Sequence, residues 1–373
     1  RAMCSTALRS SSVAWTGASI FLSPVRICSP RYGWPAPQRR WRAAARSADA
    51  CSAAFGRSSR DASVMRRGYY EDVGDTDRIG GALGDLFRGR PADWNKNPTV
   101  RLREEYPPYE LIPLKVGVNK GVTVSINSAG MRDREYDLAK PTGYTRLAVL
   151  GDSHPFGSGV ANDETFENLL EGDLNERLGE PGAGWEVLNF SVNGYGPIGK
   201  LWTLQNRALQ FAPDVVLCFV TDDEAFVVTE VETIVKRRFD PPYEGLRALM
   251  DKEGIHKEMP RVLARNRANR IHEELLKWVY AEMKRTADDN GKQLFYVFIP
   301  TPDENPVARQ HRKEQIAIAQ QAGIATIDLT HAYDGVDDWL DIVIQPWDFH
   351  PTVDGHQMLA DALYDALVPM LKR

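Results

Sequence analysis

The sequence predicts an α/β fold, a three-layer α/β/α sandwich built on a parallel sheet of about five strands. Three observations carry that expectation. Short continuous apolar runs at 147–150, 215–220 and 294–299 suit strands buried on both faces. Segments with apolar residues at helical spacing lie between them, among them Phe166, Leu169, Leu170, Leu174 and Leu178. Strands joined through helices call for parallel pairing with right-handed crossovers.

In chain order, the first 64 residues stand apart: they are rich in arginine, serine and alanine, contain no lysine and have almost no acid. That composition fits an organelle transit peptide, and it equally fits translation of an upstream non-coding frame. Met65, just before the composition turns ordinary, favours the second, so 1–64 is expected to be disordered or spurious and dispensable. A chain starting at Met65 would carry no clear export signal and would be cytoplasmic. The apolar stretch 13–25 is too short to cross a bilayer. Three of the four cysteines, Cys4, Cys28 and Cys51, fall in this leader, and no disulfide framework or zinc spacing is present. Cys218 lies inside an expected buried strand and reads as a small core residue.

Residues 65–144 read as a polar, turn-rich N-terminal extension with short strands. Val122, Val124 and Ile126 alternate with Thr123 and Ser125 in a half-buried strand pattern. The run Arg132, Asp133, Arg134 is given no catalytic role, because a charge run usually marks a solvated face.

Residues 145–373 form the main domain. Helix 164–178 leads to strand 186–190, helix 201–209 to strand 214–220, and an insertion over about 226–290 contains an amphipathic helix marked by Ile271, Leu275, Val279 and Met283. Within that insertion, 236–239 and the following Asp240-Pro241-Pro242 read as a loop or partial lid. Strands 294–299 and 324–328 flank a polar helix, 308–322. At 43% hydrophobic residues the chain has ample core, and a formal charge of −5 gives no reason to expect nucleic acid as a partner.

The chemistry centres on 146–160, RLAVLGDSHPFGSGV. A serine where a buried strand yields to a loop is rigidly held yet open to a substrate, as an attacking hydroxyl must be. A serine-capped turn would look the same. Four blocks, GDSHPFGSGV, VLNFSVNGYG, DVVLCFVTDDE and WDFHPTVDGH, resemble in order those of the SGNH hydrolases, the GDSL-type esterases and lipases. The resemblance runs from about Val122 to the C-terminus and implies the family's flavodoxin-like architecture. It implies Ser153 as nucleophile, the N–H groups of Ser153 and Gly194 as oxyanion donors, His350 as base and Asp348 as its orienting acid. The third block ends in Asp222 where the family has an asparagine donor. An ionised aspartate only accepts hydrogen bonds, so either Asp222 weakens the oxyanion hole or it turns away to cap the next helix. The family's commoner acid position, three before the histidine, holds Trp347 here, which leaves Asp354 as an alternative acid.

The resulting expectation is a serine hydrolase cleaving a small-molecule carboxylic ester or an O-acylated carbohydrate, with no cofactor, no metal and no transmembrane span. The alternatives are a weak or inactive binding protein with the same fold, or an acyl transferase to a sugar hydroxyl.

Overall fold

The computed structural model describes residues 94–221, 226–301 and 306–371. The leader 1–64, its three cysteines, Met65 and the acidic trio Asp222, Asp223 and Glu224 lie outside the described residues. By internal contacts the chain divides into Arg1–Gly56 and Arg57–Arg373, and the described residues all belong to the second unit.

Two antiparallel hairpins come first. β1 (Val100–Leu102) pairs with β2 (Tyr109–Leu111), and β3 (Val116–Asn119) pairs with β4 (Val122–Ser125). The alternation read at Val122, Val124 and Ile126 belongs to β4 and the residue after it, with Val124 and Ile126 buried.

The sheet then builds through β5 (Tyr144–Leu150), α1 (Phe166–Leu178), β6 (Gly184–Asn189), α2 (Pro197–Asn206) and β7 (Val215–Val220). The insertion supplies α3 (Phe226–Arg237), α4 (Glu244–Lys252), α5 (Arg261–Arg270) and α6 (His272–Asp289). β8 (Gln293–Phe298), α7 (Pro306–Gln321) and β9 (Ala325–Asp328) complete the sheet. A short hairpin of β10 (Val343–Gln345) and β11 (Asp348–Pro351) leads into α8 (Val353–Leu371). One expectation is corrected here. Residues 236 and 237, read as the start of a loop, end α3, because Phe226, Val227, Val231, Ile234 and Val235 give that segment a full apolar stripe to bury.

All five central strands are parallel, in the order β6-β5-β7-β8-β9, which is the flavodoxin-like order. The strands show why the sheet needs two helical layers. Along β7, Val216, Cys218 and Val220 face one core while Val215, Leu217 and Phe219 face the other. β5 divides in the same way, with Ala148 and Leu150 on one side and Leu147 and Val149 on the other. Helices α2, α3, α6 and α7 cover the first face, and α1 and α8 cover the second. Cys218 is a core residue with its sulfur 3.9 Å from that of Met283. No helix among the described residues is long and apolar enough to cross a membrane.

The strand order reverses between β5 and β7. At such a switch point the crossovers leave in opposite directions and open a crevice beyond the carboxyl ends of the strands. Ser153 follows β5 there, and the turn carrying Gly194 follows β6 next to it.

Candidate active site

Ser153 lies three residues beyond the end of β5, on a tight turn, and is buried. Its Oγ is 2.7 Å from Nε2 of His350. The carboxylate of the preceding Asp152 accepts from the backbone N–H of His154 at 3.0 Å and from the Thr221 hydroxyl at 3.3 Å. Burial alone would raise the Asp152 pKa, but the interactions with His154 and the charge of Lys200 outweigh it and hold the group below the usual carboxylate range.

Arg132 shapes the loop beyond Ser153. Its guanidinium donates to the carbonyl oxygens of Phe156, Gly157 and Val160, and its Nε to Oδ1 of Asn162 at 3.1 Å. Gly157 sits at φ +77°, where an added Cβ would fall 2.3 Å from Thr165 and 2.7 Å from the guanidinium, so only glycine lets the loop close over Arg132. The expectation of a solvated face for 132–134 is therefore corrected. Arg132 and Asp133 are buried and only Arg134 is exposed, because the folded loop offers Arg132 three carbonyl acceptors and the N–H groups of Asn189 and Arg134 satisfy Asp133.

Gly194 occupies the third position of a turn closed by the Tyr195 N–H on the Val192 carbonyl at 3.1 Å. Its φ of +77° is the conformation a type II turn requires at that position. The turn is braced from two sides. The Tyr109 hydroxyl donates to the Asn193 carbonyl at 2.7 Å, and the Tyr195 hydroxyl to the Tyr109 carbonyl at 2.5 Å. Beyond it, the buried carboxylate of Glu230 accepts from the N–H groups of Gly196, Ile198 and Gly199 at 3.1, 2.9 and 2.7 Å, and from the Tyr106 hydroxyl at 2.8 Å. These N–H groups are at the start of α2, which a negative charge stabilises. Burial still pushes the Glu230 carboxyl up to about 7, against the pull of those donors.

His350 and Asp348 are on β11, two residues apart on an extended strand, so both side chains project to one face. Asp348 Oδ1 is 2.5 Å from Nδ1 of His350. Both residues are buried, as is Ser153, so Ser153, His350 and Asp348 form one continuous hydrogen-bonded row. Asp354, the alternative acid, is exposed in the first turn of α8, whereas Asp348 bonds the ring directly. His154 stacks on His350 with ring centroids 4.6 Å apart. His356 is buried elsewhere, and its Nδ1 accepts from the N–H of Phe166 at 3.1 Å. Asp222, the remaining site expectation, is outside the described residues.

Sequence reasoning missed two members of the site. Asp348 Oδ2 accepts from the indole N–H of Trp94 at 2.6 Å and from the Lys120 ammonium at 2.5 Å. Both donors come from the N-terminal extension, which gave no sign of a role in the chemistry. Burial would raise the Asp348 pKa, yet the charges of His350 and Lys120 prevail and hold it well below the usual carboxylate range. The His350 ring is also lowered from its ordinary value, to about 4, first through burial and then through the Lys120 charge, with Asp348 opposing.

Among the described residues no group of acidic, histidine or cysteine side chains is arranged to hold a metal ion. A cavity of about 120 Å³ lies beside the Gly194 turn, lined in part by Tyr106, Tyr109, Tyr195, Lys236 and Arg261.

No curated protein sequence matches the chain. Among solved structures, TesA is similar at 19% identity and a TM-score of 0.40, over 61% of this chain and 99% of that one. The psychrotrophic esterase EstA from Pseudoalteromonas sp. is similar at 15% identity and a TM-score of 0.39, over 61% of this chain and 100% of that one. The acetylxylan esterase Axe2 from Geobacillus stearothermophilus, as a catalytic mutant, is similar at 15% identity and a TM-score of 0.40, over 60% of this chain and 94% of that one. The sequence profile of the GDSL-like lipase/acylhydrolase family matches residues 149–358, from the strand before Ser153 to just past His356. With more than half its length so matched, the chain belongs to that family of ester hydrolases, within the SGNH hydrolase superfamily.

Proposed function

We propose that this protein is a serine esterase that cleaves a small acyl ester or an O-acylated carbohydrate through an acyl-enzyme. The observation that carries the proposal is the row Ser153 Oγ to His350 Nε2 at 2.7 Å and His350 Nδ1 to Asp348 Oδ1 at 2.5 Å. In it His350 takes the hydroxyl proton on Nε2 as Ser153 attacks the ester carbonyl. The carbonyl oxygen becomes an oxyanion, met by the N–H groups of Ser153 and Gly194. Collapse breaks the bond to the alcohol, which leaves with the proton from Nε2. Water then repeats the sequence on the acyl-enzyme and frees the acid. Asp348 keeps Nδ1 protonated, so that Nε2 presents a lone pair to the serine.

A fluorophosphonate probe tests the reading. It should label the wild type and leave Ser153→Ala unlabelled. Labelling that persists in Ser153→Ala would reassign the nucleophile, and an unlabelled wild type would favour a binding protein with the same fold.

Asp222 holds the position of the family's third oxyanion donor. An ionised carboxylate there would place negative charge beside the one that develops in the transition state. Asp222→Asn is therefore expected to raise kcat on a simple acyl ester by about tenfold or more, roughly 1.4 kcal/mol. An unchanged or lower kcat in the folded variant would mean that Asp222 does not face the oxyanion.

A further inference from the structure

Lys120 stands at the tip of the β3–β4 hairpin, whose two-residue turn, Lys120 and Gly121, joins the paired Asn119 and Val122. Its φ of +50° and the +82° of Gly121 are both left-handed, the geometry that a two-residue hairpin turn favours. The Lys120 side chain runs inward from this turn and has no exposure to solvent. The ammonium lies 2.5 Å from Asp348 Oδ2 and 3.0 Å from Nδ1 of His350.

Only the first of these contacts is a hydrogen bond in the working state. An ammonium has donors alone, and so does an Nδ1 that carries its proton. Asp348 Oδ1, at 2.5 Å from Nδ1, requires that proton to be present. Lys120 therefore bonds the carboxylate and faces the ring as a bare positive charge. Once Nε2 is also protonated, two cations sit 3.0 Å apart within the protein, shared by one carboxylate.

We propose that Lys120 is a positioning residue of the Ser153, His350 and Asp348 row, one that clamps the acid from behind and fits the enzyme to work in acidic medium. The other groups facing the ring do not replace it. Asp348 favours the charged ring. His154, stacked on the ring, disfavours it when charged, and Asp152 lies 3.7 Å from Nδ1 of His154. Trp94 donates to the same Asp348 oxygen without charge, so it can orient the carboxylate but cannot repel the imidazolium. An imidazolium made less stable also gives its proton more readily to the departing alkoxide, so the weaker base is repaid as a stronger acid in the second half of each step.

The sign follows from the charge. Ester cleavage needs a neutral ring, so the acid limb of kcat/KM marks the pH below which the ring of the free enzyme is protonated. The wild-type limb is expected near pH 4, where the His350 pKa lies, well below the ordinary histidine value of about 6.5. Lys120→Met keeps the bulk and removes the charge, and it should move the limb upward by about one pH unit or more. Trp94→Phe removes a hydrogen bond to the same oxygen and should leave the limb where it is, whatever it does to kcat. Loss of mere structural support would lower the rate at every pH without moving the limb.

The kinetic readout rests on the proposed esterase activity. The same quantity is therefore also measured without turnover, by NMR titration of the His350 ring in histidine-labelled protein, with His350→Gln to assign the signal. A low ring pKa that rises in Lys120→Met supports the inference even if no ester is cleaved. A wild-type ring titrating near 6.5, or one whose pKa does not rise in Lys120→Met, overturns it. Should Lys120→Met fail to fold, the wild-type titration and the Trp94→Phe limb decide.

Discussion

Ser153→Ala and His350→Gln should each lower kcat on a simple acyl ester by about 10⁴-fold or more, and the double variant should be scarcely worse than either single one. The non-additivity is the diagnostic part. Ser153 Oγ and His350 Nε2 share one proton across 2.7 Å, so removing either end removes the same event. Without the histidine the hydroxyl must attack with its proton still in place, and without the serine the base has nothing to activate. What remains is the contribution of oxyanion donors and substrate positioning, which neither substitution touches. Rates measured above the apparent pKa of His350 give the comparison. If the double variant loses the product of the two single losses, the residues act independently and the row is not a catalytic unit.

Arg132→Met should destabilise the protein by about 3–5 kcal/mol and cost activity in whatever fraction still folds. The guanidinium is buried and pulled down to about 10, with burial the largest cause, yet it remains charged at neutral pH. It satisfies the carbonyls of Phe156, Gly157 and Val160 and lies 5.0 Å from the Phe156 ring centroid. Methionine leaves those carbonyls in a dry interior without donors and removes the cation that offsets the buried Glu167. Because the loop begins at Ser153, its relaxation should also shift the serine away from Nε2. Urea unfolding with an unchanged m-value would give the stability difference directly. A loss below about 1 kcal/mol would mean that the loop finds other donors.

These two expectations mark how far the sequence could be read. The five strands and their crossovers were legible because each strand is buried on both faces and so appears as an unbroken apolar run, as in 215–220. Ser153 and His350 were legible because each sits in a block of short-range pattern: a strand ending in a glycine turn, and an acid two residues before a histidine. Arg132 was misread. A charged run looks solvated until the loop at 156–160 folds over it, and nothing local announces that three carbonyls will converge there. Lys120 was invisible for the same reason in stronger form. It lies 228 positions from Asp348, and a lysine beside a glycine at a hairpin tip is indistinguishable in sequence from an exposed turn residue. Local pattern reports secondary structure and burial, whereas pairing between distant ionisable groups belongs to the tertiary fold.

The covalent intermediate is the most direct test of the central claim. The wild type is mixed with an activated acyl ester, quenched in acid within the first turnovers, and weighed by mass spectrometry before and after digestion. The account predicts one added acyl group per chain, carried by the peptide containing Ser153 and absent from Ser153→Ala. An acyl group on another residue, or turnover of the ester with no acylated species at any quench time, would contradict it.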